Sequence, residues 1–374
     1  MHSFSSSGFP IVFIQSDDEL NIAVDSIALS KVVSLDTEYD SFKRQYGFNM
    51  LLIQIFDLTS VYIIDPLTIT DYSSLWRIFE NPDIEKVLYS GSEDIALLKQ
   101  HGCNIKNVFD VQVAATLSNH PARNLGDLLL AETGRTIDKS EQTSDWSVRP
   151  LSAAKIEYAA NDVIFLPEIK EKLKQLIDAR DLHAVLEEEN LALEKITERS
   201  HVPKIKPSYY KDFSKSFCDA LLAMLNLRDQ IGKDLNIPPN RVVDNRYLED
   251  ALFNRDAFLT SNEFKSFHPK VRYSQHYKNG FIDILRAYDP ESTEKNPRMP
   301  SRNRRIYSKD ERNSIVEEIY NPVKATYLEN YGERTTEFLL RGMKRKLISG
   351  ETSTDDLRMY QRDIFTKLSA ALDM

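Results

Sequence analysis

The sequence predicts a mixed α/β domain followed by two all-helical blocks. Three observations carry that expectation. β-rich runs open the chain, helix and strand signals then alternate, and beyond about residue 207 no strand pattern remains. At 374 residues the chain exceeds the size at which one hydrophobic core usually keeps growing, so several domains are expected.

Ile11 to Ile14 reads as a short strand, and Asp17 to Ser30 has helical spacing behind a Ser16 cap. Lys31 to Asp40 (KVVSLDTEYD) is an apolar run that ends in acids, followed by a polar and aromatic loop, Ser41 to Asn49. Leu51 to Phe56 and Val61 to Ile64 are β-rich and joined by Asp57 to Ser60, a hairpin signature that predicts successive antiparallel strands. Then come helix (Tyr72 to Glu80), strand (Lys86 to Tyr89), helix (Ser92 to His101, capped by Ser92), a brief strand at Val108 and helix (Gln112 to Ser118). Such alternation implies crossovers and parallel strands with helices on the faces. One long helix, kinked at Pro167, is expected from Ser152 towards Leu176.

The first domain is thus expected over residues 1–180, with a charged helical linker over 181–207. Helical domains follow over 208–290 and 307–374, separated by a polar linker over 291–306. In the first of them Phe217, Leu221, Leu225 and Arg228 recur at helical steps, and Leu248, Leu252 and Phe253 form another apolar face.

Composition narrows the class. With 41% hydrophobic and 28% charged residues, the chain reads as an ordinary globular protein. No apolar run approaches the ~20 residues that cross a bilayer, and the start lacks a signal pattern, so a cytoplasmic location without a membrane partner is expected. Cys103 and Cys218 give neither a disulfide framework nor metal-ligand spacing. The net charge of −9 argues against coating nucleic acid by bulk electrostatics, but local basic clusters remain: Arg298, Arg302, Arg304 and Arg305, then Arg341, Lys344, Arg345 and Lys346 along one helix. Lys265, Lys270, Arg272 and Lys278 interleave with Phe267, Tyr273 and Tyr277, a combination suited to phosphates and stacked bases.

The acids carry the chemistry. Side chains alternate along a strand, so Asp36 and Glu38 project from one face, with Leu35 and Thr37 on the other. Two like charges side by side call for a cation with hard oxygen ligands. Asp94 stands in the first turn of its helix, where the dipole favours acids in any protein. Tyr158 and Asp162, four apart, share a helix face distinct from that of Ile156, Ala159, Ala160 and Val163.

In this order and company, the three elements resemble the motifs of DEDD-family 3′-to-5′ exonucleases, in the branch where tyrosine precedes the last aspartate by four. LIQIFD, SGSEDI, LLKQHG, FDVQVAA, IDKSEQTSDW, RPLS and YAANDV extend the likeness to the ribonuclease D family over about the first 180 residues. Phe213 to Tyr288, and more remotely Tyr307 to Leu372, resemble HRDC domains, helical modules similar to nucleic-acid binders.

The resemblance implies a ribonuclease H-like sheet and two Mg²⁺ or Mn²⁺ ions roughly 3.5 to 4 Å apart. It implies that Asp36, Glu38 and Asp162 bind one ion, that Asp36 bridges to the second, and that Asp94 holds the second through water. Tyr158 would orient the attacking water. Phe48 or Met50 would wedge against the terminal base, and Gln54, Lys139, Trp146 and Arg149 match positions near the substrate groove, Lys139 and Arg149 as phosphate contacts. Trp146 reads equally well as a packing residue. The implied activity is trimming of structured RNA precursors, transfer RNA 3′ ends foremost, with release of nucleoside 5′-monophosphates. A DNA exonuclease and a catalytically silent RNA-binding protein are the alternatives. Tyr89 stands where many relatives carry histidine.

Overall fold

The computed structural model describes residues 4–6, 8–138, 140–199, 201–261, 264–297 and 307–372. Its N-terminal part is built on strands β1 (Phe4–Ser6), β2 (Phe9–Ile14), β3 (Val32–Ser41), β4 (Phe48–Phe56), β5 (Val61–Ile64), β6 (Glu85–Leu88) and β7 (Val108–Asp110). They form one seven-stranded sheet in the order β1-β2-β5-β4-β3-β6-β7. The hairpin expectation holds for β4 and β5, which pair antiparallel. After the hairpin the chain makes crossovers, so β6 lies parallel to both β3 and β7. The result is the expected mixed sheet.

Helices α1 (Asp17–Ile27), α2 (Ser73–Phe79), α3 (Ser92–Gln100), α4 (Val111–Leu117), α5 (Leu125–Thr133), α6 (Ala153–Ile164), α7 (Leu166–Asp178) and α8 (His183–Leu193) flank it. Ser16 caps α1 as expected, its Oγ accepting from the Glu19 N–H at 3.3 Å. The capping expected of Ser92 is corrected. Gly91 takes the cap position and Ser92 begins α3, with no side-chain cap bond. A Cβ at Gly91 would lie 2.7 Å from Leu88 Cδ2, so a side chain does not fit there. The single long helix is also corrected, to two helices that break at Phe165 with Pro167 in the first turn of α7. Proline lacks the N–H a helix interior needs but fits a first turn, where that N–H would be unpaired anyway.

The chain divides into two compact units. One holds the sequence up to Glu38, the stretch Met50–Glu198 and the C-terminal block; the other holds Tyr39–Asn49 with the helices of 199–297. Within the first unit, helix α8, inside the stretch read as a linker, buries Leu186, Glu189 and Asn190 and packs beside β7. Leu339 of the C-terminal block joins the same core as Leu52, Val87 and Ile169.

In the second unit the helix Lys215–Leu235 buries Phe217, Leu221 and Leu225, as its spacing predicts. Phe253 departs from the expected apolar face: it is 57% exposed at the end of the helix Asn245–Phe253. The cysteines are free, buried and in different units. Among the described residues, no helix is long and apolar enough to cross a membrane.

Candidate active site

Strand β3 is apolar where it crosses the sheet, with Val33 and Leu35 buried, and its acids come where the burial ends. Asp36, Thr37 and Glu38 form one side of a cavity of about 260 Å³. Tyr158 and Asp162 of α6 face it, Asn124, Leu125 and Gly126 at the start of α5 form another wall, and Tyr89 closes in after β6. Helix α6 buries Ile156, Ala159, Ala160, Val163 and Ile164, which turns Tyr158 and Asp162 towards the cavity as the four-residue spacing predicts.

Asp36, Glu38 and Asp162 each bring a carboxylate oxygen within 4.8 Å of the other two. Sequence positions 36, 38 and 162 thus converge on one point. Asp94, buried at the start of α3, is held by Thr37, whose N–H and Oγ1 both donate to Asp94 Oδ1 at 3.0 and 2.5 Å. It lies outside the three-carboxylate group but close enough for its charge to act on Asp36 and Glu38.

Crowding acids in a poorly hydrated site makes their charged forms unfavourable. Burial first, then the charges of Asp94, Asp162 and Glu38, push Asp36 well above the usual carboxylate range. Burial and the charges of Asp162 and Asp94 raise Glu38 to about 9. Burial raises Asp162 to about 7 against the opposing hydrogen bond from the Tyr158 hydroxyl, and Asp94 to about 6 against the bonds from Thr37. None of the described residues that line the cavity is lysine or arginine. Clustered carboxylate oxygens are the donor set that Mg²⁺ and Mn²⁺ take, and the residues present fit such ions. The Tyr158 phenol is also driven upward, by burial and then by the charges of Asp162, Glu38 and Asp36. It keeps its proton.

The outer residues behave less uniformly. Trp146 is buried with its ring centroid 5.9 Å from that of Tyr158, so it packs behind the phenol. Arg149, expected to contact phosphate, engages the interior here: its Nε donates to Asp65 Oδ2 at 2.6 Å and its Nη2 to Asp65 Oδ1 at 2.8 Å and the Leu51 carbonyl at 2.8 Å. Asp65 is fully buried, so this guanidinium neutralises an interior charge. Gln54 is fully buried in β4 and does not line the cavity. Met50 is buried as well, and Phe48 is buried against the Tyr39 ring at 4.9 Å and beneath the Arg199 guanidinium at 4.6 Å. Lys139 lies outside the described residues.

Sequence reasoning passed over Thr37, Asn124, Gln142 and Asp110. The first three line the cavity. Asp110 ends β7 and accepts from the N–H groups of Ser90, Gly91, Gln112 and Val113, which ties the turn that leads into α3 and Asp94 to the start of α4. Its signal was present in FDVQVAA, an aspartate at a strand end just before a helix.

The basic clusters are partly spent on the fold. Arg341 and Lys346 do not share one helix, because the chain breaks between Glu333–Leu339 and Met343–Ile348. Arg341 pairs with buried Glu189, and Lys346 is itself buried, with Asp356 at 2.6 Å and Glu351 at 3.5 Å. In the second unit Phe267 is a core residue, while Tyr273 is 78% exposed beneath the Arg272 guanidinium. Arg298, Arg302, Arg304 and Arg305 lie outside the described residues.

Residues 11–178 match the 3′-5′ exonuclease family. A ribonuclease D of Shewanella sp. is 34% identical over 203 residues, 53% of this chain and 51% of that protein, so the match spans about half the relative's length. Ribonuclease D of Escherichia coli K12 is 32% identical over 276 residues, 69% of this chain and 72% of that one. The crystal structure of Escherichia coli RNase D, described as an exoribonuclease involved in structured RNA processing, superposes with a TM-score of 0.69 at 22% identity. That likeness covers 97% of this chain and 98% of the other and concerns the fold. On the match to the Escherichia coli protein, the chain belongs to the ribonuclease D family.

Proposed function

We propose that this chain is a divalent-metal-dependent 3′-5′ exoribonuclease that removes nucleoside 5′-monophosphates one at a time from structured RNA precursors, transfer RNA 3′ ends foremost. The observation that carries the reading is the convergence of Asp36, Glu38 and Asp162 within 4.8 Å, flanked by Asp94 and Tyr158. The RNA assignment is supported by the relatives named ribonuclease D.

Asp36, Glu38 and Asp162 would hold one cation, with Asp36 shared with a second that Asp94 serves. Bound there, the cations supply Lewis-acid polarisation of the scissile phosphate and of the attacking water. The chain's own residues set the geometry. Thr37 holds Asp94 by two hydrogen bonds, and the Tyr158 hydroxyl bonds Asp162 while remaining protonated. A phenol with an ordinary pKa of ~10 is a poor base near neutral pH, so its role is to orient water rather than to remove a proton from it. The buried Trp146 ring packs against that of Tyr158. The helical stretch 208–290 is read as an HRDC-type module that grips RNA, with Arg272 and exposed Tyr273 as its candidate contacts.

Parallel time courses on matched 3′-tailed RNA and DNA strands, in Mg²⁺ and in EDTA, test the reading. Stepwise shortening of RNA in Mg²⁺ alone, with nucleoside 5′-monophosphates as product, is expected. Faster shortening of DNA would assign the chain to the DNA exonuclease class, and binding without shortening would make it a silent RNA binder.

A further inference from the structure

One part of the cavity lining begins at Asn124, and the segment that leads to it is held from the far end of the sequence. Helix α4 ends at Leu117, and Asn119 turns the chain in the left-handed region at φ +56°. Asn124 then caps α5, its Oδ1 accepting from the Asp127 N–H at 3.0 Å. The crossing has bonds of its own, His120 N–H to the Ala115 carbonyl at 2.9 Å and Ala122 N–H to His120 Nδ1 at 3.1 Å among them, but none of these uses the carbonyls of His120 and Ala122.

The helix Glu333–Leu339 of the C-terminal block supplies the ties. The Arg334 guanidinium donates to the carbonyls of His120 and Ala122, and the Arg334 N–H to Asn119 Oδ1 at 3.0 Å. Thr335, fully buried, donates its hydroxyl to the carbonyls of Thr116 and Leu117 at 3.0 Å each, capping the end of α4. Gly332 makes the approach possible: at φ +77° its backbone suits glycine, and a Cβ there would lie 2.2 Å from Asn119 Nδ2. All of these residues belong to one compact unit.

We propose that Arg334 is a positioning residue for the substrate cavity, and that the C-terminal helical block thereby forms part of the exonuclease body rather than a detached RNA-binding module. By fixing the carbonyls on either side of Pro121, Arg334 sets where Asn124, Leu125 and Gly126 stand in the cavity that Asp36 and Glu38 also line. The wall it places meets the nucleotide being removed, not the cations. That second clause rests on the exonuclease reading; the tethering of the segment does not.

Arg334→Ala and the near-isosteric Thr335→Val are compared with wild type in the full chain, by amide hydrogen exchange, Mn²⁺ titration and steady-state kinetics on 3′-tailed RNA. Exchange over 118–127 is expected to quicken about tenfold, and KM to rise about tenfold with kcat within about threefold and Mn²⁺ affinity unchanged. Thr335→Val should move the same quantities less, and it carries the test alone if Arg334→Ala does not fold. Unchanged exchange over 118–127, an unchanged KM, or a loss of Mn²⁺ affinity with exchange rising across the whole sheet would each overturn the proposal. If the wild type shows no metal-dependent shortening, the exonuclease reading fails, while the exchange data still decide whether Arg334 holds the segment.

Discussion

Thr37 gives Asp94 two hydrogen bonds on one oxygen, across 57 residues of sequence. The residue between the paired acids of β3 therefore anchors the acid that begins α3. One strand end carries two ligand candidates and fixes a third, so the site's geometry is tied to β3 more tightly than the acids alone suggest.

Removing the hydroxyl with Thr37→Val leaves only the backbone donor. Because the Thr37 bonds lower the Asp94 pKa from where burial would set it, their loss should move Asp94 further above about 6. Mn²⁺ affinity below neutral pH is then expected to fall about tenfold, with less effect at pH 9. A titration series from pH 6 to 9 checks it, and a pH-independent loss would contradict the link.

Metal-free stability should depend on pH in a direction set by Glu38. Its folded-state pKa, about 9, is raised above the unfolded value, so its contribution is fully present below the unfolded value and is lost as pH rises through about 9. Glu38→Gln, which cannot ionise, should melt like wild type near pH 5 in EDTA and above it at pH 9. Equal melting temperatures at both ends of that range would show that Glu38 is not strained.

Arg149→Ala is expected to act on the fold. It leaves the buried Asp65 carboxylate unpaired, a loss of about 3 kcal/mol in urea melts. KM for RNA measured below the melting range should change less than twofold, roughly the scatter of such comparisons. A large KM increase in a fully stable variant would restore the phosphate contact instead.

Tyr158→Phe keeps the ring that packs against Trp146 and removes only the hydroxyl. We expect kcat to fall about a hundredfold with Mn²⁺ affinity nearly unchanged. Loss of metal binding in step with kcat would make the phenol a ligand support rather than an orienting group.

Much of this site is legible in the sequence because its parts obey local periodicities. The alternation of β3 puts Asp36 and Glu38 on one face, and the four-residue step of α6 does the same for Tyr158 and Asp162. Each is a short-range rule. Arg149 shows where such rules stop, since a basic residue in the right motif looks the same whether it meets a phosphate or a buried aspartate 84 residues away. Arg341 was legible as part of a basic run, but its partner Glu189 comes from another part of the chain. Likewise no pattern announces that Arg334 reaches His120, because that contact depends on how distant helices pack.

The central claim is that Asp36 stands at the heart of a metal-dependent phosphodiester site. Wild type and Asp36→Asn are compared on one 3′-tailed RNA in Mg²⁺ and in EDTA. The account predicts stepwise 3′ shortening by wild type in Mg²⁺ only, and a rate at least about a thousandfold lower for Asp36→Asn. Shortening that survives either chelation or the substitution would contradict it.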